Sequence, residues 1–335
     1  MSETIRFSPD ATAKELLSSV GILKRDGAVP AQMTLFVEQA DTVLSKLRGK
    51  VESGMDAGRI PQFQELLIDS AARVLSHPVI AGNQYLARFS QGVTDAQARH
   101  ECQQFSVFAL QFDVAQAKLV SNAPTEEAYT ERLQVLLNEK GIPYKDGFEG
   151  ELTGNWNIGS VHFTWLLAMG RGLGLTFEEL GKIWLALPGT KAFVDSTFEN
   201  YAHIDPNIAA GAAFAVENWA ANALWKPWIA GMEILNASRE KPVDIGYLKY
   251  HNQEEEHHSQ ATLDELLESF SEPWFDAERF LQGAETMLTD GVQAYYVSQL
   301  ETLPDKGETW PTEAVEQRRF TKDGVPRISA EDVRV

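Results

Sequence analysis

The run His251-Asn252-Gln253-Glu254-Glu255-Glu256-His257-His258 concentrates metal-ligand side chains in eight residues. At about 100° of turn per helical residue, His251, Glu255 and His258 fall within roughly 60° of one another, so three donors would share one helix face. Imidazole with carboxylate suits iron, and manganese less specifically, where open positions remain for oxygen or a substrate. Glu254 lies close enough in angle to rival Glu255, and helix geometry alone does not separate them. A solvated charge run with surface histidines is the plain alternative.

Two further segments carry the same kind of residue. Glu217 sits within Ala212-Ala213-Phe214-Ala215-Val216-Glu217-Asn218-Trp219-Ala220-Ala221, a helix apolar on nearly all sides. Burying a carboxylate there is costly unless a metal or a hydrogen-bond partner compensates, and an arginine or a tryptophan indole is the bland candidate for that partner. His162 opens an apolar helix, with Glu151 upstream across a glycine-rich loop. Alone, a histidine at a helix start is an ordinary core or capping residue. Together, Glu151, His162, Glu217, His251, Glu255 and His258 supply three carboxylates and three imidazoles, enough for two metal ions. Helical bundles build di-iron sites from inward carboxylates and histidines in this way. The ferritin-like arrangement uses two Glu-x-x-His motifs, and neither His203 nor His100 has a Glu three residues before it.

These residues need helices to position them, and helical periodicity dominates. Apolar residues recur at helical spacing over Pro30–Leu47 and Gln62–Leu75, the latter ending at His77-Pro78, and another helix runs to about Ser90. Thr94 or Asp95 caps a long helix through Phe105, Phe108 and Phe112, and Thr125 starts the next. Residues 141–159 are expected to form an irregular loop. Ser160 or Val161 begins a helix that stops at the Gly170-Arg171-Gly172-Leu173-Gly174 run, and Thr176-Phe177-Glu178-Glu179 is a capping box. Further helices are expected at about 176–188, 190–202, 207–237, 243–270 and 274–300. No convincing strand pattern occurs. The expected organisation is an N-terminal extension with a helix (1–60), an all-α bundle holding the site (61–303) and an irregular tail (304–335).

The 335 residues carry 48 acidic and 29 basic side chains, a net charge of -19 that repels phosphate backbones and anionic membrane surfaces. Nucleic acid and membrane are therefore not expected partners, although excess acidity also serves solubility. The single cysteine, Cys102, excludes an internal disulfide and a thiolate cluster, so any metal site uses nitrogen and oxygen ligands. No signal peptide is visible, and Glu217, Asn218 and Asn222 interrupt the most apolar stretch; a cytoplasmic location is expected.

The spacing of these residues resembles that of the haem-oxygenase-like di-iron oxidases and oxygenases, a family related in fold to haem oxygenase, thiaminase II and pyrroloquinoline quinone synthase. The family pattern is a Glu, a His, a second Glu about 55 residues on, and His-x3-Asp/Glu-x2-His some 30–35 residues later. Here 55 residues separate His162 from Glu217 and 34 separate Glu217 from His251. Glu151-Leu152-Thr153-Gly154-Asn155 before His162 and Leu173-Gly174-Leu175-Thr176 after it are similar to the flanking text of the family. The resemblance covers about residues 62–300. It favours Glu255 over Glu254. For the first carboxylate it favours Glu151 by its shorter gap to His162, although Glu139 also looks like a family Glu.

The resemblance implies a seven-helix bundle binding two ferrous ions, with dioxygen as co-substrate and a small organic molecule as substrate. N-oxygenation, oxidative decarboxylation and carbon–carbon cleavage all occur among such enzymes, and nothing in the sequence selects among them. An external reductant and a homodimeric state are compatible with this reading. Phe105, Phe108, Phe112, Trp165, Trp219 and Trp225 are candidates for an apolar substrate pocket or for plain core, and Lys226 and Arg171 for pairing with a substrate carboxylate. The rivals are a metal-free enzyme of the thiaminase or quinone-synthase kind and a non-catalytic helical scaffold.

Overall fold

A computed structural model describes residues 7–145, 147 and 150–316, apart from the side chains of Glu255 and Glu256. The fold is all-α, and among the described residues β-pairing is limited to isolated bridges. The helices are α1 (Ala13–Ser19), α2 (Ala31–Glu52), α3 (Arg59–Ser70), α4 (Pro78–Ala81), α5 (Gln84–Phe89), α6 (Asp95–Ser121) and α7 (Glu126–Glu139). There follow α8 (His162–Gly172), α9 (Pro188–Ser196), α10 (Pro206–Trp219), α11 (Trp225–Ala237), α12 (Gly246–Ser271), α13 (Ala277–Thr286) and α14 (Ala294–Thr302). None of the described helices is long and apolar enough to cross a membrane.

Local chemistry sets many of these boundaries. Thr94 caps α6, its hydroxyl accepting from Gln97 N while the Gln97 side chain accepts from Thr94 N. Thr125 caps α7 in the simpler one-sided way. Thr94→Ala is expected to lower stability by about 1 kcal/mol, read from the midpoint of urea unfolding. The 176–188 region departs from expectation. The capping box between Thr176 and Glu179 forms, yet it opens only a single 3-10 turn, Phe177–Glu179, followed by another at Ile183–Leu185. Gly181 between them adopts φ +72°, a left-handed conformation that ends helical propagation, and its backbone is tucked against Phe163 and Leu110.

Several expected long helices are interrupted by π-turns, at Ala71–Leu75, Thr197–Tyr201, Ala220–Leu224 and Met287–Gln293. The one joining α10 to α11 matters for the site. Over eight α-helical residues Trp225 would end about 80° away from Glu217; one inserted residue reduces this to about 20°, so both face the same interior space.

The core is built around α10, whose Ala209-Ala210-Gly211-Ala212-Ala213 run lets α13 approach closely. A Cβ on Gly211 would lie 1.8 Å from the Phe280 carbonyl oxygen, and one on Gly283 would lie 2.2 Å from that of Ile208. Glycine at both positions is what the backbone separation requires. On the other side α2 packs along α12. Gln39 Nε2 donates to the buried Ser259 hydroxyl at 2.8 Å, and Lys46–Asp264 and Lys50–Glu268 pair at 2.7 Å. The segment after α14 folds back, with Trp310, Ala314 and Val315 buried and Val315 bridging Asn83. Residues 317–335, the rest of the expected tail, lie outside the described residues.

Candidate metal centre

The loop between α7 and α8 decides which carboxylate meets His162. Lys140 pairs with Val161 and Tyr144 with Leu152, so residues 140–161 form an excursion that returns to its starting point. Gly141 permits the return: its φ is +95°, and a Cβ there would lie 2.6 Å from the Asn157 carbonyl oxygen. Glu139, the last residue of α7, is thereby placed beside His162, the first of α8. Glu151 is carried to the far part of the excursion, where its side chain is 79% exposed and pairs with Lys145 Nζ at 2.7 Å. The structure brings Glu139, not Glu151, to the interior group, because the chain reversal makes the sequence gap irrelevant.

Glu139, His162 and His251 each present one donor atom, and the three lie within 4.8 Å of one another, a separation that one metal ion could span. His162 Nδ1 is 3.0 Å from Glu139 Oε1 and His251 Nε2 is 3.8 Å from it. The first contact lacks hydrogen-bond geometry, which leaves His162 Nδ1 buried and aimed at the carboxylate without a directed bond. His251 Nδ1 is 2.8 Å from the Tyr247 carbonyl oxygen, to which it donates, leaving its Nε2 lone pair directed inward.

Burial raises the Glu139 carboxyl, but His162 and His251 outweigh it and hold the group well below the usual carboxylate range. His162 shows the reciprocal balance, with burial pulling its pKa down and Glu139 carrying it above the ordinary histidine value. Trp165 stacks on the His162 ring at 4.7 Å, held by its indole N–H donating to Gly159 O, and Tyr250 closes edge-on against both rings.

A second cluster lies one to two turns along α12. His258 Nδ1 is 3.6 Å from Glu217 Oε2, and His258 Nε2 is 3.9 Å from Glu254 Oε1. Glu254 is 0% exposed; its Oε1 accepts from the Tyr250 hydroxyl at 3.1 Å, and its Oε2 has no hydrogen-bond partner among the described residues. A buried carboxylate oxygen without a donor is costly and fits a cation-binding role. Among the described side chains of this run, Glu254 is the acidic one that faces the cluster; the side chain of Glu255, the expected ligand, lies outside the described residues.

Both clusters border one cavity of about 60 Å³, whose polar end is formed by Glu139, Glu217, His251 and His258. Its remaining wall is mainly aromatic and includes Phe105, Phe108, Phe112, Trp219 and Trp225, five of the six aromatic candidates; Trp165 instead stacks on His162. The volume admits a few water-sized molecules, and a larger substrate requires a side chain such as the half-buried Phe112 to move. Lys226 and Arg171 are exposed and lie outside this lining. Cys102 is fully buried and burial pushes its thiol up, so it is an inert core residue and not a nucleophile.

Sequence reasoning weighed Glu139 and Glu254 but had no measure of the chain reversal or of the local burial that selects them. It missed Tyr250 and the Tyr247 carbonyl, whose signal is weak: Tyr247 lies one helical turn before His251 and Tyr250 one turn before Glu254, so each shares a face with the residue it touches. No protein-family model matches the chain, and no curated protein matches it.

Proposed function

We propose that this protein is a non-haem di-iron oxidase or oxygenase that uses dioxygen to oxidise a small organic substrate. The observation that carries the reading is two donor clusters, Glu139 with His162 and His251, and Glu217 with Glu254 and His258, that meet one aromatic cavity through Glu139, Glu217, His251 and His258. The residues fit such a group chemically. The donors are imidazole nitrogens and carboxylate oxygens without thiolate, which suits iron or manganese, and among the described residues a buried Glu254 oxygen and a buried His162 nitrogen lack directed hydrogen bonds.

Glu139, His162 and His251 would hold one ion, and Glu217, Glu254 and His258 the other. Bound iron supplies one-electron chemistry and activation of oxygen that amino-acid side chains lack. The protein's part is positional. The Tyr247 carbonyl fixes the His251 tautomer, and Trp165 and Tyr250 cover the His162 face against water. Tyr250 donates to Glu254 and so fixes the orientation of that carboxylate. The ring walls admit an apolar substrate part beside the polar end, and the described lining holds no cation for a substrate carboxylate, since Lys226 and Arg171 are exposed and outside it. An external reductant would supply electrons between turnovers.

The test is the metal-to-protein ratio after anaerobic loading with ferrous iron and removal of loosely held ions. Two retained irons per chain, followed by a transient visible absorption on exposure to oxygen, is the expected result. No retained iron removes the reading.

A further inference from the structure

Away from the candidate metal centre, a second buried carboxylate has no cation paired with it among the described residues. Glu101 on α6 is 1% exposed, and no salt bridge reaches it among the described residues. Its Oε2 accepts from the Tyr85 hydroxyl at 2.6 Å and its Oε1 from the Tyr295 hydroxyl at 2.9 Å, while Gln299 Nε2 donates to the Tyr295 oxygen at 2.6 Å. A neutral glutamine could link these helices without the cost of an ionisable group in a dry interior. An acceptor that can take up a proton, in a short bond to a phenol, has a use beyond cohesion.

The surrounding rings suggest that use. Trp219, on the cavity wall, has its ring centroid 6.1 Å from that of Tyr296. Tyr296 is 5.6 Å from Tyr85, and Tyr85 is 5.3 Å from Trp310. Trp310 is 6% exposed and follows the exposed residues Gly307, Glu308 and Thr309, so the series ends at the surface. Each member is tryptophan or tyrosine, the side chains that give up one electron most readily, and neighbouring rings are in or near contact. The Arg88 guanidinium lies 4.9 Å above the Trp310 ring. A cation there disfavours positive charge on the indole and so favours placing the electron hole on Tyr85.

We infer that Trp219, Tyr296, Tyr85 and Trp310 form a one-electron relay between the cavity and the surface, with Glu101 as the proton acceptor for Tyr85. Its purpose rests on the metal reading, in which an oxidised iron centre in the cavity is the oxidant. One electron leaves Tyr85 through Tyr296 and Trp219, and the oxidant is reduced by one electron. The phenolic proton crosses the 2.6 Å hydrogen bond to Glu101. The products are a neutral Tyr85 phenoxyl radical and a protonated Glu101. A one-electron donor docking near Trp310 then restores Tyr85, which recovers its proton from Glu101. Tyr295 hydrogen-bonds the other carboxylate oxygen and positions Glu101; Tyr85 is the relay member because its ring touches both Tyr296 and Trp310.

The test uses the full chain without iron, so that its outcome is independent of metal binding. A ruthenium polypyridyl photo-oxidant is attached through Glu308→Cys; the buried Cys102 does not compete for the label. After a laser flash with an electron-accepting quencher, transient absorption and electron paramagnetic resonance should report a tyrosyl phenoxyl radical. Tyr85→Phe should remove it. Glu101→Gln, which keeps every ring but removes the proton acceptor, should slow its formation about 100-fold. Oxidation that stops at an indole radical, or a phenoxyl signal unchanged in Tyr85→Phe or formed at the parental rate in Glu101→Gln, overturns the relay. Circular dichroism confirms that each variant is folded. Radical formation here, with no iron retained in the separate anaerobic loading experiment, would keep the relay and remove the metal reading; two irons retained there without a radical here would do the reverse.

Discussion

Glu139→Gln is expected to weaken ferrous iron binding by more than about 100-fold, while Glu151→Gln leaves it unchanged. Loss of a residue that merely orients a ligand costs about 10–100-fold, so loss of a shared carboxylate ligand exceeds that range. Glu139 Oε1 is the common neighbour of His162 Nδ1 and His251 Nε2. Without its charge two imidazoles remain, and they also lose the anion that offsets a divalent ion. Glu151 makes only a solvent-facing pair with Lys145, the kind of contact worth about 0–1 kcal/mol. Isothermal titration with ferrous iron under anaerobic conditions measures both. Equal affinities for the two variants would remove Glu139 from the site. A companion measurement on Glu254→Gln and Glu255→Gln separates the two acidic neighbours on α12, with the larger loss expected at Glu254, the side chain that faces His258.

The contrast between Glu139 and Glu151 shows where the sequence stopped being legible. Helices announce themselves through period and caps: Thr94, Thr125 and His77-Pro78 lie at boundaries the structure keeps, because capping hydrogen bonds are local. Donors on one helix are similarly readable, since His251 and His258 share a face by geometry alone. The pairing of Lys140 with Val161 is not local, and no count of residues between Glu151 and His162 reveals it. The π-turn at Ala220–Leu224 is equally silent, being a register shift within an apolar run, yet it sets Trp225 against the cavity that Glu217 enters. Gly181 was visible as a residue but not as a left-handed one, and the capping box before it suggested a helix that the glycine ends.

Glu101 carries the other large expectation, which concerns stability against pH. Burial pushes its carboxyl up to about 7 from an ordinary 4.5, despite the two phenol donors that favour the anion. A raised folded-state pKa means that the folded chain holds this proton more tightly than the unfolded chain. The resulting stabilisation is complete below about pH 4.5, declines as pH rises, and is lost above about pH 7. The shift corresponds to roughly 3 kcal/mol. Glu101→Gln is neutral throughout, so its stability relative to the parent should rise by about that amount between pH 4.5 and 8. Urea unfolding at several pH values measures the difference directly. A difference that does not vary with pH would mean that the folded carboxyl titrates no higher than the unfolded one, which would overturn the raised pKa of Glu101. The same cost that makes Glu101 expensive as cohesion makes it a responsive acceptor: near pH 7 its charged and neutral forms are close in free energy, and a proton can move to or from it with little change in the fold.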